Sequence, residues 1–236
     1  SDWSGYAIVG ERYPMIKATD WVRNPEGKII VDPVTGLPKA GDIVAVGTSD
    51  PTIRIGLNSV MKWKGFSLAA TFDYRGGHYT RPSSEYNMLF TGASYISGIS
   101  GRQRFVFPNS VIAETDASGN VTYRENTDIT VNDAGKTFWN GIYKQGRANQ
   151  IISAASWRLR ELSLGYDVPK KYLKKVGFLQ RASVSLVGRN LFMWTPSTNI
   201  WGDPDFTGSG NGNVGGFSGT NNVGQRSYGF NLLLSF

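Results

Sequence analysis

The stretch Ile53-Arg54-Ile55-Gly56-Leu57-Asn58-Ser59-Val60-Met61-Lys62-Trp63-Lys64-Gly65-Phe66-Ser67-Leu68-Ala69-Ala70-Thr71-Phe72-Asp73-Tyr74 decides the fold. Apolar residues fall at every second position, at Ile53, Ile55, Leu57, Met61 and Trp63, with Arg54, Gly56, Asn58, Val60 and Lys62 as their alternates. After Lys64-Gly65 the alternation restarts with Phe66, Leu68, Ala70, Phe72 and Tyr74 against Ser67, Ala69, Thr71 and Asp73. A period of two belongs to a β-strand, whose successive side chains point to opposite faces. Two such runs around a glycine-containing pair predict a β-hairpin. Each run has about the 9–11 residues that a tilted strand needs to cross a bilayer. Strands of soluble sandwiches average nearer about 5–6. Length favours a transmembrane barrel.

The closing segment repeats the pattern. Tyr228, Phe230, Leu232, Leu234 and Phe236 alternate with Ser227, Gly229, Asn231, Leu233 and Ser235. A soluble chain gains little from ending inside an apolar strand, because termini fray. A barrel uses its last strand to remove the sheet edge. Tyr228 and Phe236 are then expected at the two membrane interfaces. Between these segments lies a second hairpin. Leu162, Leu164 and Tyr166 end one strand, Asp167 to Gly177 form a connector, and Ala182, Val184, Leu186, Gly188, Phe192 and Trp194 share one face of the next. Pro169 is expected at a first helical position and Gly177 as a stop. Trp157 to Glu161 has the opposite phase to Leu162-Leu164, and a bulge near Glu161 would reconcile them. Leu57, Met61, Phe66, Leu68, Leu186, Leu232 and Leu234 are therefore expected to face lipid.

Composition agrees with this reading. The 236 residues include 29 glycines, 13% aromatics, one histidine and no cysteine. Without cysteine there are no disulfides, thiol nucleophiles or thiolate metal sites, as suits the bacterial periplasm and surface. The net charge of +7 invites a nucleic-acid reading, but the basic residues are dispersed and no nucleic-acid partner is expected. The one tight cluster, Lys170, Lys171, Lys174 and Lys175, reads as a solvated turn or a turn near anionic lipid head groups. No stretch approaches the roughly 20 apolar residues of a membrane helix. The mean hydropathy of −0.27 is uninformative, since barrel strands average out polar. The chain shows no signal peptide and begins at Ser1 without a methionine, so either processing or removal of an upstream chain is expected.

The connections alternate in length. Lys64-Gly65 and the lysine connector are short, whereas Arg75 to Asn149 and Trp194 to Gln225 are long and irregular. Short periplasmic turns and long extracellular loops are the asymmetry of outer-membrane barrels. This puts Lys64-Gly65, the lysine connector and Phe236 on the periplasmic side. In the N-terminal region, Tyr13 to Arg23 is expected as a strand returning through the turn Asn24-Pro25-Glu26-Gly27 into Lys28 to Val31.

Several segments resemble SusC/RagA-type outer-membrane transporters. Ser156 to Pro169 is similar to their S-x-x-R-L-R-x-x-x-L-G-Y-x-L-P signature. Gly188-Arg189-Asn190-Leu191-Phe192-Met193-Trp194-Thr195 is similar to their G-x-N-L-F-x-W-T strand, and Asp203-Pro204-Asp205 to the D-P-E that follows it. Arg226 to Phe236 resembles their closing R-x-Y-x-F-G-x-x-x-x-F. Gly27 to Pro38 and Pro51 to Gly77 match the family's order of motifs. The departures are Asp205 for glutamate, and Ala154-Ala155 where an Asp-Ala pair is common. The resemblance covers nearly the whole chain. It implies the C-terminal strands of a large antiparallel barrel of about 22 strands, whose plug and earlier strands lie outside this chain. It further implies TonB-dependent uptake of a bulky nutrient, an oligosaccharide or peptide, with a SusD-like lipoprotein on the extracellular loops and TonB acting through the plug. Tyr228, Phe230 and Phe236 would form the C-terminal signal read by the assembly machinery. A small barrel adhesin or anchor and a secreted carbohydrate-binding β-sandwich are the alternatives.

No catalytic chemistry is expected, and no cofactor. His78, the only histidine, is expected in an exposed loop beside Gly76-Gly77. No G-x-S-x-G elbow accompanies it. Asp203 and Asp205 lack EF-hand spacing and read as a turn rather than a calcium site. Gly208 to Gly224 lacks the Gly-Lys-Ser/Thr ending of a phosphate loop. Tyr86, Phe90, Tyr95, Trp139, Tyr143 and Trp201 are expected to pack among the loops, with stacking on sugar rings or a partner as the sharper alternative.

Overall fold

A computed structural model of the chain describes residues 5–101, 103–131, 135–175, 177–205, 217–218 and 224–236. In chain order the elements begin β1 (Met15–Trp21), β2 (Ile29–Ile30), β3 (Ala40–Thr48), β4 (Ile53–Trp63), β5 (Phe66–Gly76), β6 (Tyr79–Pro82), α1 (Ser83–Phe90) and α2 (Tyr95–Gly98). Next come β7 (Phe105–Val106), β8 (Ser110–Thr115), β9 (Val121–Glu125), β10 (Thr130–Val131), β11 (Ile152–Ser153) and β12 (Ser156–Asp167). The chain ends with α3 (Lys170–Leu173), β13 (Arg181–Trp194), β14 (Phe217–Ser218) and β15 (Ser227–Ser235). The chain is mainly β, and its principal strand pairs are antiparallel. It divides into two compact units: Ser1–Asp50, Tyr79–Ile152 and Thr207–Thr220 form one, and Pro51–His78, Ser153–Phe206 and Asn221–Phe236 the other.

The second unit is built on one five-stranded antiparallel sheet of order β15-β13-β12-β5-β4. The β4–β5 hairpin has the expected register, with Trp63 opposite Phe66 and Leu57 opposite Phe72. Its two-residue turn takes Lys64 to φ 46° and Gly65 to φ 92°. Positive φ at both central positions belongs to a type I′ turn, whose twist matches that of the flanking strands. A Cβ on Gly65 would also stand 3.0 Å from the Asp167 carbonyl oxygen.

Register decides which residues share a face, because opposed residues of an antiparallel pair lie on the same side. One row runs Met61, Leu68, Leu164, Leu186, Phe230; another runs Trp63, Phe66, Tyr166, Val184, Leu232. A third, at the far end, runs Ile55, Tyr74, Trp157, Trp194. This face is apolar across all five strands. The opposite face carries rows such as Lys62, Ser67, Gly165, Ser185, Asn231 and Asn58, Thr71, Glu161, Arg189, Ser227.

The phase conflict in β12 is resolved by a bulge. Register shifts between Leu159 and Glu161 against both neighbours, leaving Arg160 as the extra residue. Leu159 and Leu162 therefore both stay on the apolar face, while Arg158, Arg160 and Glu161 all lie on the polar one. β13 answers with Asn190 at φ 53°.

The first unit has its own core of Trp21, Val131 and Phe138, packed by Leu37, Phe105, Phe107, Trp139 and Tyr143. β8 and β9 form a hairpin closed by Asp116, whose side chain accepts from the amides of Ser118 and Asn120, both at 2.8 Å. The N-terminal expectation is corrected here. The Asn24 turn forms, with the Gly27 amide donating to the Asn24 carbonyl at 2.9 Å. Yet β1 pairs along its length with β3, and the segment after the turn supplies only an isolated bridge, Arg23 to Ile29. β2 instead lies parallel to β8. The reason is length: β2 has two residues before the Asp32–Leu37 turn, whereas β3 offers nine.

Candidate functional site

The seven residues expected to face lipid all lie on the apolar face of the five-stranded sheet. Leu57, Met61, Phe66, Leu186, Leu232 and Leu234 are exposed, Leu186 at 57%, and Leu68, on an inner strand, is half-buried. Among the described residues of this unit, no second sheet covers them. Contiguous exposed apolar surface of this extent is rare on soluble monomers and marks a surface that meets a membrane or another protein segment. Tyr228, Phe230 and Phe236 continue the same face along β15 and are exposed as well.

Aromatic rings gather at both ends of that face. At the turn end Phe66 packs on Tyr166 with centroids 4.6 Å apart. At the far end Tyr74 packs on Trp157 at 4.7 Å, and Phe192 stacks on Trp194 at 5.8 Å.

The polar face carries an ion-pair network that the segment after β13 completes. Arg158 Nη1 donates to Asp203 Oδ2 at 2.7 Å, Nη2 donates to Asp203 Oδ1, and Nε donates to Ser156 Oγ at 3.3 Å. Arg160 Nη2 donates to Asp73 Oδ2 at 2.7 Å and to Asp205 Oδ2 at 2.8 Å. Arg75 Nη1 reaches Asp205 Oδ1 at 3.3 Å. Three arginines thus face three aspartates. The Asp205 amide donates to Asp203 Oδ1 at 2.9 Å, which fixes the turn that carries both carboxylates. Burial raises the Asp203 pKa, but the Arg158 hydrogen bonds and the Asp205 amide more than offset it and hold the carboxyl below its usual range. Beside the network opens a cavity of about 420 Å³ lined by Arg158, Arg160, Asp203, Phe192 and Arg226 among others. The Arg226 guanidinium lies 5.9 Å from the Phe192 ring centroid.

Such an array is a wall of shared, charge-assisted hydrogen bonds. Asp203 and Asp205 form the expected turn. Among the described residues no cluster of His, Asp and Glu is arranged to hold a metal. The Arg158-Leu159-Arg160 and Asp203-Pro204-Asp205 motifs stand 45 residues apart and meet only in the fold. Their shared i, i+2 spacing of opposite charges was the available signal for pairing them.

His78 is a correction. It is 6% exposed, not an open loop residue. Its carbonyl accepts from the Ala154 amide at 2.9 Å, and Gly77 at φ 69° turns the chain inward there. Pro169 caps α3 instead of starting it, and the helix ends at Leu173, before Gly177. Trp139 and Tyr143 pack in the first unit's core, whereas Tyr95 stands 70% exposed. Phe206 and most of Gly208 to Gly224 lie outside the described residues.

No protein-family model matches the chain, and no curated protein matches it by sequence. Solved structures do. The chain resembles a chain of the RagAB peptide importer in its closed-closed state, with TM-score 0.55 and 16% identity over 94% of this chain and 23% of that one. It is similar to a chain of the open-open state, with TM-score 0.54 and 18% identity over 98% and 24%. A third match, to the RagAB peptide transporter, has TM-score 0.54 and 17% identity over 94% and 22%. The fold is RagAB-related, and the chain spans about a quarter of the chains it matches.

Proposed function

We propose that this chain forms C-terminal strands of an outer-membrane β-barrel that imports a bulky nutrient, an oligosaccharide or peptide, and that it catalyses no reaction. One observation carries the reading: a single sheet of membrane-length strands is apolar and exposed on one face and charged on the other. β4 and β5 have 11 residues each, β12 has 12 and β13 has 14. From the Tyr166 row to the Trp157 row is roughly 27 Å along the strand, or about 20 Å along the normal at a tilt near 40°. That is close to the apolar band of about 25 Å between aromatic girdles. The apolar face is the lipid face, and the polar face with its arginine–aspartate network lines the passage. The likeness to RagAB chains supports a nutrient-import role in kind. On this reading TonB supplies energy through a plug outside the chain, and a SusD-like lipoprotein covers the extracellular loops.

Bilayer solvation also accounts for the edges. β4 and β15 are the two outer strands of the sheet, and in lipid every unpaired backbone group costs several kcal/mol. Their partners are earlier strands of the full-length protein. The test is fractionation with transport. The full-length protein should stay in outer membranes through carbonate extraction, and its deletion strain should lose uptake of labelled oligosaccharides or oligopeptides. Release by carbonate, or unchanged uptake of both classes, would contradict the proposal.

A further inference from the structure

The turn end of the five-stranded sheet gathers three segments. The Asp167 amide donates to the Gly65 carbonyl at 2.8 Å, and the Gln180 amide donates to the Ser235 carbonyl at 2.8 Å. The Lys64-Gly65 turn, the α3 connector and the end of β15 therefore share one rim. Phe178 and Phe236 stack there with centroids 5.9 Å apart and planes 7° apart, and remain 63% and 70% exposed. Phe236 continues the apolar phase of β15.

The same rim carries Lys64, Lys170, Lys171, Lys174 and Lys175, all exposed. Among the described residues none of the five has a carboxylate within ion-pair distance. The neighbouring acid, Asp167, is paired with Arg181 at 3.2 Å. Two ammonium groups instead rest on rings: Lys64 lies 4.8 Å from the Trp63 centroid and Lys171 4.8 Å from that of Tyr172. Five cations without an ion pair among the described residues, set beside exposed rings, have the two chemistries of a bilayer surface. The rings suit the boundary between hydrocarbon and head group, and long lysine stems lie along apolar surface while their ammonium groups reach out. Such clusters attract anionic lipid, and the attraction fades within a Debye length.

We propose that this rim is a binding surface for anionic phospholipid. Lys170, Lys171, Lys174 and Lys175 hold the phosphate, and the upper acyl chain lies against Phe178, Phe236 and Trp63. The proposal rests on the embedded-face reading of the preceding subsection, with charge complementarity as its own additional argument.

The test uses the full-length protein in nanodiscs of phosphatidylcholine alone or mixed with phosphatidylglycerol, with lipid retained on release counted by native mass spectrometry. The variants are Lys170→Gln, Lys171→Gln, Lys174→Gln and Lys175→Gln together, and Lys136→Gln from the first unit as a control. The wild type should retain phosphatidylglycerol over phosphatidylcholine by about tenfold. The quadruple variant should lose that preference and the control should keep it. If the quadruple variant does not assemble, Lys171→Gln with Lys175→Gln should weaken the preference measurably. Equal retention of the two lipids by the wild type, or a preference that survives the substitutions, would overturn the proposal. Complete displacement of the lipid by inorganic phosphate would likewise overturn it in favour of a free-phosphate site. Failure of the wild type to enter nanodiscs at all would instead overturn the embedded-face reading.

Discussion

Arg158 and Asp203 form a two-pronged ion pair across 45 residues of sequence, with the arginine side chain only 6% exposed. The pair ties the segment after β13 to the polar face of the sheet at β12. Two parallel N–H···O bonds add geometric specificity to the charge attraction. The pair is shared, since Asp205 Oδ1 lies 3.3 Å from the same guanidinium.

Breaking this pair should be far more damaging than breaking an exposed one. Asp203→Ala leaves a buried guanidinium short of its partner and should destabilise the protein by about 3 kcal/mol. Glu161→Ala removes the exposed pair with Arg189 and should change stability by less than about 1 kcal/mol. Thermal midpoints of the two variants in the same detergent give the comparison. Equal effects would show that the network does not hold the loop.

Acid should loosen the same loop. The Asp203 carboxyl is depressed in the fold, so its contribution is present above the ordinary carboxylate range and is lost as pH falls through the depressed value. Protease cleavage within 195–205 should rise below about pH 4 in the wild type. In Asp203→Asn it should already be elevated at pH 7.

Glu85 should give the opposite slope. Its carboxylate is buried on α1, accepts a hydrogen bond from the Tyr143 hydroxyl, and is pushed by burial up to about 7. A raised carboxyl pKa means that the folded state binds the proton more tightly. The extra stability is present below about pH 4.5 and declines until pH passes about 7. The loss between pH 5 and 8 should be at most about 3 kcal/mol. Glu85→Gln should flatten the slope, as read from thermal midpoints at both pH values.

Much of the five-stranded sheet was legible because burial and exposure impose a period of two on β4, β5, β12, β13 and β15. Even the β12 bulge was visible, as the phase break at Glu161. The β1–β3 pairing was not, because Ala40 to Thr48 has no clean alternation and its partner lies beyond a nearer, better turn. The ion-pair network was hidden by distance in the chain. Arg160 and Asp73 are 87 residues apart, and Arg75 and Asp205 are 130. His78 was misread because a histidine after two glycines has the local signature of a loop, while its burial comes from packing that no local pattern encodes.

Phe236 should matter more for assembly than for stability. It is exposed in this chain and stacks on Phe178, so its deletion should destabilise the assembled barrel by no more than about 1.5–3 kcal/mol. The amount assembled in the outer membrane should fall much further. Normal surface levels in a deletion strain would show that Phe236 has no assembly role.

The central claim is that the apolar face of the sheet meets lipid and the polar face meets water. This segment has no cysteine, so single thiols can be introduced cleanly. Leu164→Cys, Leu186→Cys and Leu232→Cys report the apolar face, and Ser163→Cys, Ser185→Cys and Asn231→Cys the polar one. Spin labels at these six sites, in full-length protein otherwise free of thiols and reconstituted in bilayers, should alternate strictly. The first three should be relaxed by oxygen dissolved in the hydrocarbon, and the other three by a water-soluble nickel chelate. Preferential relaxation by nickel at Leu164, Leu186 and Leu232 would contradict the account.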